Sequence, residues 1–264
     1  MKHIASRDNS LFQRALRIAQ GKRDNSLLSG QARMALLEGV HLCQAWLQHI
    51  GQPEIALFDA GRLQSNAELQ GLAAQITGEA IACDGKLIRA LSQVEHGQGV
   101  FFIVCVPLEV LPERIAHNCL CLDRIQDPGN VGALLRTAVA SGIEHAYLSV
   151  GCASAWSGKS MRSGQGAHFV MTIHEHVDLV ALRARLDIPM LATTLENAHG
   201  LYQDPLPPQC AWFFGNEGQG LAVELQDMAD RRIYIPHNRA VESLNVVVAA
   251  GVCLFEQRRQ HTAA

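Results

Sequence analysis

The sequence predicts an α/β fold built on a parallel sheet, and three widely spaced segments carry that prediction. They are residues 125–138 (IQDPGNVGALLRTA), 213–221 (FFGNEGQGL) and 233–250 (IYIPHNRAVESLNVVVAA). Each begins on apolar, strand-like residues. Each then turns through Gly, Pro, Asn or Ser and carries a polar group into a helical pattern. The carboxyl ends of parallel strands are where such sheets place ligands and chemistry. Three loops of this kind in one domain can converge on one pocket.

A chain of 264 residues suits one large domain or two modest ones. Apolar content of 48% with 18% charged residues is that of an ordinary soluble domain. No stretch approaches the roughly 20 apolar residues of a membrane span, and MKHIASRDNS lacks the apolar core of a signal peptide. The cytoplasm is the expected compartment, with no membrane association. The cysteines, at 43, 83, 105, 119, 121, 152, 210 and 253, form no Cys-x-x-Cys pair and read as reduced core residues, Cys105 in VFFIVCV among them. His174 and His176 are too few to make a metal site and read as surface histidines. No metal is expected. The net charge of −3 requires any nucleic-acid footprint to be local. Residues 1–40 hold seven basic side chains (Lys2, Arg7, Arg14, Arg17, Lys22, Arg23, Arg33) against three acids (Asp8, Asp24, Glu38). Arg124, Arg136, Lys159 and Arg162 form a second group. Solvated helix faces account for such clusters as readily as RNA does.

Residues 9–50 read as helical: one helix through Leu11, Ala15, Leu16 and Ile18, a polar break at GKRDNS, and a second helix over ARMALLEGVHLCQAWLQHI. EIALF at 54–58 and GVFFIVCV at 99–106 read as strands. A small N-terminal α/β domain over residues 1–112 follows, with VPLEVLPERIAHN as the linker. From residue 116 the α/β alternation becomes regular. CLCLD, HAYLSV, PMLATTL, AWFFG and RIYIP are apolar runs, and GNVGALLRTAVASG is a helix ending at Gly142. That alternation is the mark of a parallel sheet with crossover helices, here over residues 116–264.

In the first loop, Asp127-Pro128-Gly129-Asn130 is turn chemistry with Asn130 as helix N-cap. The helix then aligns Val131, Leu134, Leu135, Ala138 and Val139 on one stripe. Arg136 falls outside it, as a plain surface residue or as a group facing a phosphate or ribose oxygen. The second loop, Gly215-Asn216-Glu217-Gly218-Gln219-Gly220, lacks both the P-loop lysine and the dinucleotide glycine spacing. It is a tight turn, or a place where a ligand approaches bare backbone. In the third, Asn245 is the one strong side-chain hydrogen-bonding group between Leu244 and Phe255, in what reads as a fully buried helix with Ser243 at the N-cap position. An unpaired buried amide costs about 1–3 kcal/mol, so Asn245 is either satisfied in the core or aimed at a ligand.

Together, DPGNVGALLRTA, GNEGQGL and IPHNRAVESLNVVVAAGVCLFE resemble the three motifs of the SpoU branch of the SPOUT RNA methyltransferases, over roughly residues 116–260. The resemblance implies a C-terminal trefoil knot, which general topology rules would not predict, and S-adenosylmethionine as cofactor. It places Thr193, Thr194, Leu195, Gly215, Asn216, Glu217, Gly218, Ile235, Pro236, Leu244 and Asn245 around that cofactor. It makes Asn130, Arg136, Glu217, Ser243 and Asn245 the catalytic set, in a homodimer. The implied reaction methylates a ribose 2'-oxygen of structured RNA, ribosomal in preference to transfer RNA, and the likeness is greatest to 23S rRNA guanosine 2'-O-methyltransferases. A guanidinium stays protonated below pH ~12, so Arg136 is expected to orient and stabilise a developing alkoxide rather than act as a literal base. Arg162-Ser163-Gly164-Gln165-Gly166-Ala167 departs from the family's Arg-Ala-Ser-x-Gly-Ala by placing Gly164 at the usual serine. The N-terminal part, through its Glu-Gly helix start in LLEGVHLCQAWLQHIG, is similar to the family's ribosomal-protein-like substrate-binding domain.

Three rivals remain. A non-catalytic RNA-binding assembly factor would tolerate loss of Arg136, Glu217, Ser243 and Asn245, all of which are present. A knotted base methyltransferase is disfavoured by Asn130 and Arg136 together with SLN. A nucleotide-binding oxidoreductase lacks its fingerprint.

Overall fold

The computed structural model describes residues 1–21, 33–238 and 240–262. Lys22, Arg23 and Asp24, with most of the GKRDNS break, lie outside the described residues. The chain divides into two compact units, Met1–Leu108 with Trp156–Phe169, and Glu109–Ala155 with Val170–Ala264.

The first unit runs β1 (Lys2–Ile4), α1 (Ser10–Ala19), β2 (Met34–Glu38), α2 (Val40–His49), β3 (Ile55–Asp59), α3 (Ala60–Ser65), α4 (Ala67–Ala74), β4 (Glu79–Cys83), α5 (Gly85–Leu91) and β5 (Val100–Cys105). Its sheet order is β1-β4-β3-β5-β2, with β5 antiparallel to both neighbours. Asn9 starts α1 by accepting from the Leu11 and Phe12 amides, and Phe12, Ala15 and Ile18 form its buried stripe. The expected second helix is corrected: Met34–Glu38 is a strand, paired Leu36↔Ile103 with β5, and only Val40–His49 is helical. Met-Ala-Leu-Leu-Glu has ordinary helix propensity, but all five side chains are buried. A strand packed on both faces accommodates such a run, whereas a surface helix would expose part of it. Gly39, at φ +99°, breaks strand from helix. Cys105 is also corrected. It closes β5 on an exposed position rather than in the core.

The second unit begins with β6 (Cys119–Leu122), α6 (Pro128–Ser141) and β7 (His145–Ser149). The chain then passes through the segment Trp156–Phe169, which carries α7 (Gly158–Gly164) and packs with the first unit. It returns as β8 (Thr172–Val177), α8 (Leu179–Arg183), β9 (Met190–Thr193), β10 (His199–Gly200), β11 (Ala211–Phe214), α9 (Val223–Asp227), β12 (Arg231–Tyr234) and α10 (Val246–His261). The seven strands are all parallel, in the order β10-β12-β9-β11-β6-β7-β8. Alternation along β6 sends Cys119 and Cys121 into a core with Tyr147, Phe213 and residues of α8 and α9. On the other face Trp212 donates to Gln257 of α10 at 2.8 Å, and α10 lies against α6.

Near the amino ends of β6 and β7 lies a stacked imidazole group. The rings of His117 and His145 are 3.7 Å apart, and His174 stacks on Tyr147 at 5.0 Å. His174 is therefore buried, not at the surface as expected. Burial holds all three histidines below the ordinary value of 6.5. The neighbouring ring of His145 adds to this for His117, and Glu109 opposes it for His174, as Glu144 and Glu109 do for His145. With folded values depressed, the unfolded chain binds more protons in this window. The stability these groups contribute is complete above about pH 6.5 and is lost as pH falls from there through the folded values. The melting temperature is expected to drop between pH 7 and 5, and the drop to flatten in a His145→Gln/His174→Gln protein. Parallel curves for the two proteins would refute this.

Candidate active site

Because the strands of the second unit are parallel, the loops that follow β9, β11, β12 and β6 leave one edge of the sheet, from four adjacent positions. The residues singled out for the site lie on those loops, at the end of β9 (Thr193) or at the starts of α6 and α10, except Arg136, which stands two turns further along α6. Helix α6 starts at Pro128 and is capped by Asp127, whose carboxylate accepts from the Asn130 amide. Asn130 is thus in the first turn rather than at the cap, and its side chain is free for other work. Asn130 Nδ2 donates to Glu217 Oε1 at 2.9 Å, and the Glu217 carboxylate also receives the amides of Gln126 and Asp127 at 3.2 and 3.3 Å. Partial burial raises the pKa of Glu217, but these hydrogen bonds outweigh it and hold the carboxyl below the usual range. The first and second loops therefore meet at one ionised carboxylate.

A second clamp supports the first. Asp123, buried at the end of β6, binds the Arg124 guanidinium at 2.9 Å and accepts from the Ala222 amide at 3.0 Å. Arg124 Nη1 reaches Gln219 Oε1 at 3.0 Å. Arg124 is thus spent on the loop rather than offered to RNA. The sequence carries a signal for this pair: an Asp-Arg dipeptide immediately after a fully apolar strand, where a buried carboxylate needs a partner.

The second loop closes on itself. Asn216 and Gly220 exchange backbone hydrogen bonds of 3.0 and 2.9 Å. Asn216 Oδ1 accepts from Gly218 and Gln219, and its Nδ2 donates to the Arg124 carbonyl at 2.8 Å. What approaches Gly215 is therefore the loop's own Gly220–Leu221 backbone, which a Cβ at 215 would overlap. Gly218 has no such neighbour. After β9, the Thr193 hydroxyl donates to Phe213 O at 2.9 Å and that of Thr194 binds Gln226 at 2.9 Å, while Leu195 is exposed. After β12, Ile235 is half-buried and Pro236 exposed.

The third segment is corrected in two respects. Asn245, not Ser243, caps α10: Asn245 Oδ1 accepts from the Val247 and Val248 amides at 2.9 and 3.4 Å. Asn245 is exposed, as is Ser243, with Leu244 half-buried between them. Nor is the helix fully buried, since Val248 and Phe255 stand 52% and 46% exposed. A Cβ at Gly251 would lie 3.8 Å from Thr137, and Arg258 reaches the Ser141 carbonyl at 3.1 Å. These contacts advance in the same sense along α6 and α10, so the two helices run in the same direction. Their N-termini, with Asn130 and Asn245, lie toward the same edge. Arg136 projects from α6 as an exposed side chain.

The sequence pattern of the SpoU rRNA Methylase family matches residues 117–255, and these span all three loops. The chain belongs to the SpoU rRNA methylase family. A curated relative, the 23S rRNA (guanosine(2553)-2'-O)-methyltransferase RlmP of Bacillus subtilis, is 32% identical over 84% of this chain and 88% of its own length. The crystal structure of an RNA 2'-O ribose methyltransferase superposes with a TM-score of 0.81 at 26% identity, covering 98% of both chains. The SpoU methyltransferase AviRb from Streptomyces viridochromogenes, solved with AdoMet, has a TM-score of 0.82 at 24% identity over 96% of this chain and 98% of its own, a likeness of fold. In this SpoU protein the polar residues at the edge differ in how far the fold already engages them. Asn216, Asp123 and Arg124 build the second loop, whereas Asn130, Arg136, Glu217, Ser243 and Asn245 retain groups that can face a substrate.

Proposed function

We propose that this SpoU protein transfers the methyl group of S-adenosylmethionine to a ribose 2'-oxygen of structured RNA, with 23S ribosomal RNA as substrate. The observation that carries the reading is the meeting of Asn130 and Glu217, from two of the three motifs, at the carboxyl edge of the sheet. The substrate is that of RlmP, a relative matched over 88% of its own length. The donor set suits the cofactor. Leu195, Ile235 and Leu244 offer apolar contact for an adenine ring, and the bare backbone at Gly218 leaves room that a Cβ would narrow. Thr193, Thr194, Gly215, Asn216, Pro236 and Asn245 complete the surround. When bound, S-adenosylmethionine supplies a methyl group already activated on a sulfonium.

The chain's own part is alignment and charge control. Glu217 fixes the Asn130 amide, leaving Asn130 Oδ1 to accept from the ribose hydroxyl. Arg136 presents a planar, permanently charged fork to the 2'-oxygen and to an adjacent phosphate; the guanidinium is already protonated, so the hydroxyl proton passes to that phosphate or to water. Ser243 and the amide nitrogen of Asn245 hold the RNA backbone beside them. The first unit serves as the RNA-binding domain, and the compartment is the cytoplasm. Among the described residues no helix is long and apolar enough to cross a membrane.

The working form is a homodimer with a knotted C-terminal segment. Two observations support this: β12 lies between β9 and β10, and Val248 and Phe255, one heptad apart on α10, form an uncovered apolar ridge. Phe255→Glu is expected to shift the protein from dimer to monomer in sedimentation velocity. A wild-type monomer would remove the dimer from the proposal.

Methyl transfer from radiolabelled S-adenosylmethionine to unmodified bacterial RNA tests the activity. Label in a 2'-O-methylnucleoside of large ribosomal RNA is the expected result. Label in transfer RNA overturns the substrate, and label on a base overturns the ribose chemistry.

A further inference from the structure

Two motifs noted in the sequence without a shared role, the Glu38-Gly39 helix start and the stretch from Arg162 to Ala167, are partners in the first unit. Arg162 Nη1 lies 3.3 Å from Glu38 Oε2 and 3.3 Å from Gln93 Oε1. The Glu38 carboxylate is almost wholly buried, and it also receives the Ser92 hydroxyl and the Gln93 amide, the latter at 3.2 Å. One carboxylate thus joins the end of β2, the turn after α5 and the arm Trp156–Phe169. The arm is well seated. Helix α7 packs against β2, the outermost strand of its sheet, where an open edge needs cover. Phe169 meets Trp46 edge-to-face at 5.3 Å and stacks on Trp156 at 6.5 Å. Gly166, at φ +89°, lets the backbone settle against Ala45. Arg162, one of the second basic group that either RNA or a solvated helix face could explain, is therefore committed to a buried carboxylate.

The ends of the arm are covalently continuous with β7 and β8, strands of the sheet that carries Asn130 and Arg136. We propose that Arg162 is a positioning residue for methyl transfer. Through Glu38 it ties the arm to the RNA-holding unit, so that RNA bound there is delivered along β7 and β8 to the sheet that carries the catalytic groups. The inference rests on the methyltransferase reading above and adds to it a specific link between recognition and reaction. Loss of the link weakens productive RNA engagement and leaves the cofactor site alone.

The test uses the full chain as wild type, Arg162→Gln, Glu38→Gln, the double variant and Arg162→Lys. It measures kcat and KM for RNA, the dissociation constant for S-adenosylmethionine, and the melting temperature. Each Gln variant is expected to raise KM for RNA by about 10-fold, with cofactor binding unchanged. The double variant is expected to be no worse than either single one, because both remove the same interaction. Lys at 162 keeps a cation within reach of Glu38 and is expected to recover most of the loss. A purely structural role would lower the melting temperature and leave KM where it was. Wild-type RNA kinetics in a folded Arg162→Gln protein, or additive losses in the double variant, would overturn the inference alone. A wild-type protein without methyl transfer would overturn the methyltransferase reading and this inference with it.

Discussion

Arg136→Ala is expected to slow methyl transfer by about 10²–10³-fold, the usual loss when a preorganised charge-stabilising donor is removed, with melting temperature and cofactor binding at wild-type values. The two halves of this expectation have separate causes. Arg136 lies outside the buried stripe of α6, which is made by Val131, Leu134, Leu135 and Ala138, and its side chain is exposed. Truncating it therefore removes little packing and leaves no buried partner stranded. The oxygen that must lose its proton, by contrast, loses its cationic neighbour. Arg136→Lys separates charge from shape: it keeps the cation and discards the planar fork. A folded Lys variant with near-wild-type single-turnover rates would sink the forked arrangement while sparing a simple electrostatic role. A folded Ala variant with wild-type rates would remove Arg136 from the mechanism.

Gly215→Ala is expected to damage stability and activity together. The added methyl would overlap the Gly220 and Leu221 backbone, and backbone cannot move aside by changing rotamer. Overpacking of this kind costs about 3 kcal/mol or more, on the order of 10 °C in melting temperature for a chain of this size. Relief requires opening the Asn216–Gly220 closure. That would draw Glu217 from Asn130 and free the Gln126 and Asp127 amides at the start of α6. Gly218→Ala is the control for stability alone, since nothing nearer than Asn216 Oδ1 at 3.7 Å meets a Cβ there. Equal melting temperatures for Gly215→Ala and wild type would refute this account of the loop.

The parallel sheet was legible in the sequence because apolar runs bounded by turn residues recur from Cys119 onward, and those runs became β6, β7, β9, β11 and β12. Strands β1 and β4 were not, since Lys2–Ile4 is short and Glu79–Cys83 carries too few large apolar residues to declare itself. MALLE was misread because local propensity favours a helix while the partner strand VFFIVC, more than sixty residues away, decides otherwise. The caps were misplaced by a few residues for a related reason: Asp127 and Asn130, like Ser243 and Asn245, are all competent N-caps, and the choice between them is made by where the helix packs. The convergence of Asn130 with Glu217 followed from strand order, which no single motif contains. The Arg162–Glu38 pair was beyond reach, because a segment lying between two strands of one unit had to be placed with the other.

The seating of Trp156–Phe169 in the first unit has a consequence for the chain as it leaves the ribosome. Domains ordinarily complete themselves in the order they are made, but the first 108 residues here do not contain everything their unit requires. Until Phe169 has emerged, Trp46 lacks its edge-to-face neighbour, Glu38 lacks its cation and β2 lacks its cover. The first half of the protein must therefore wait, incompletely sealed, while β6, α6 and β7 are translated. A gene cut after Leu108 would encode a polypeptide with an open strand edge and a buried carboxylate without its counter-charge.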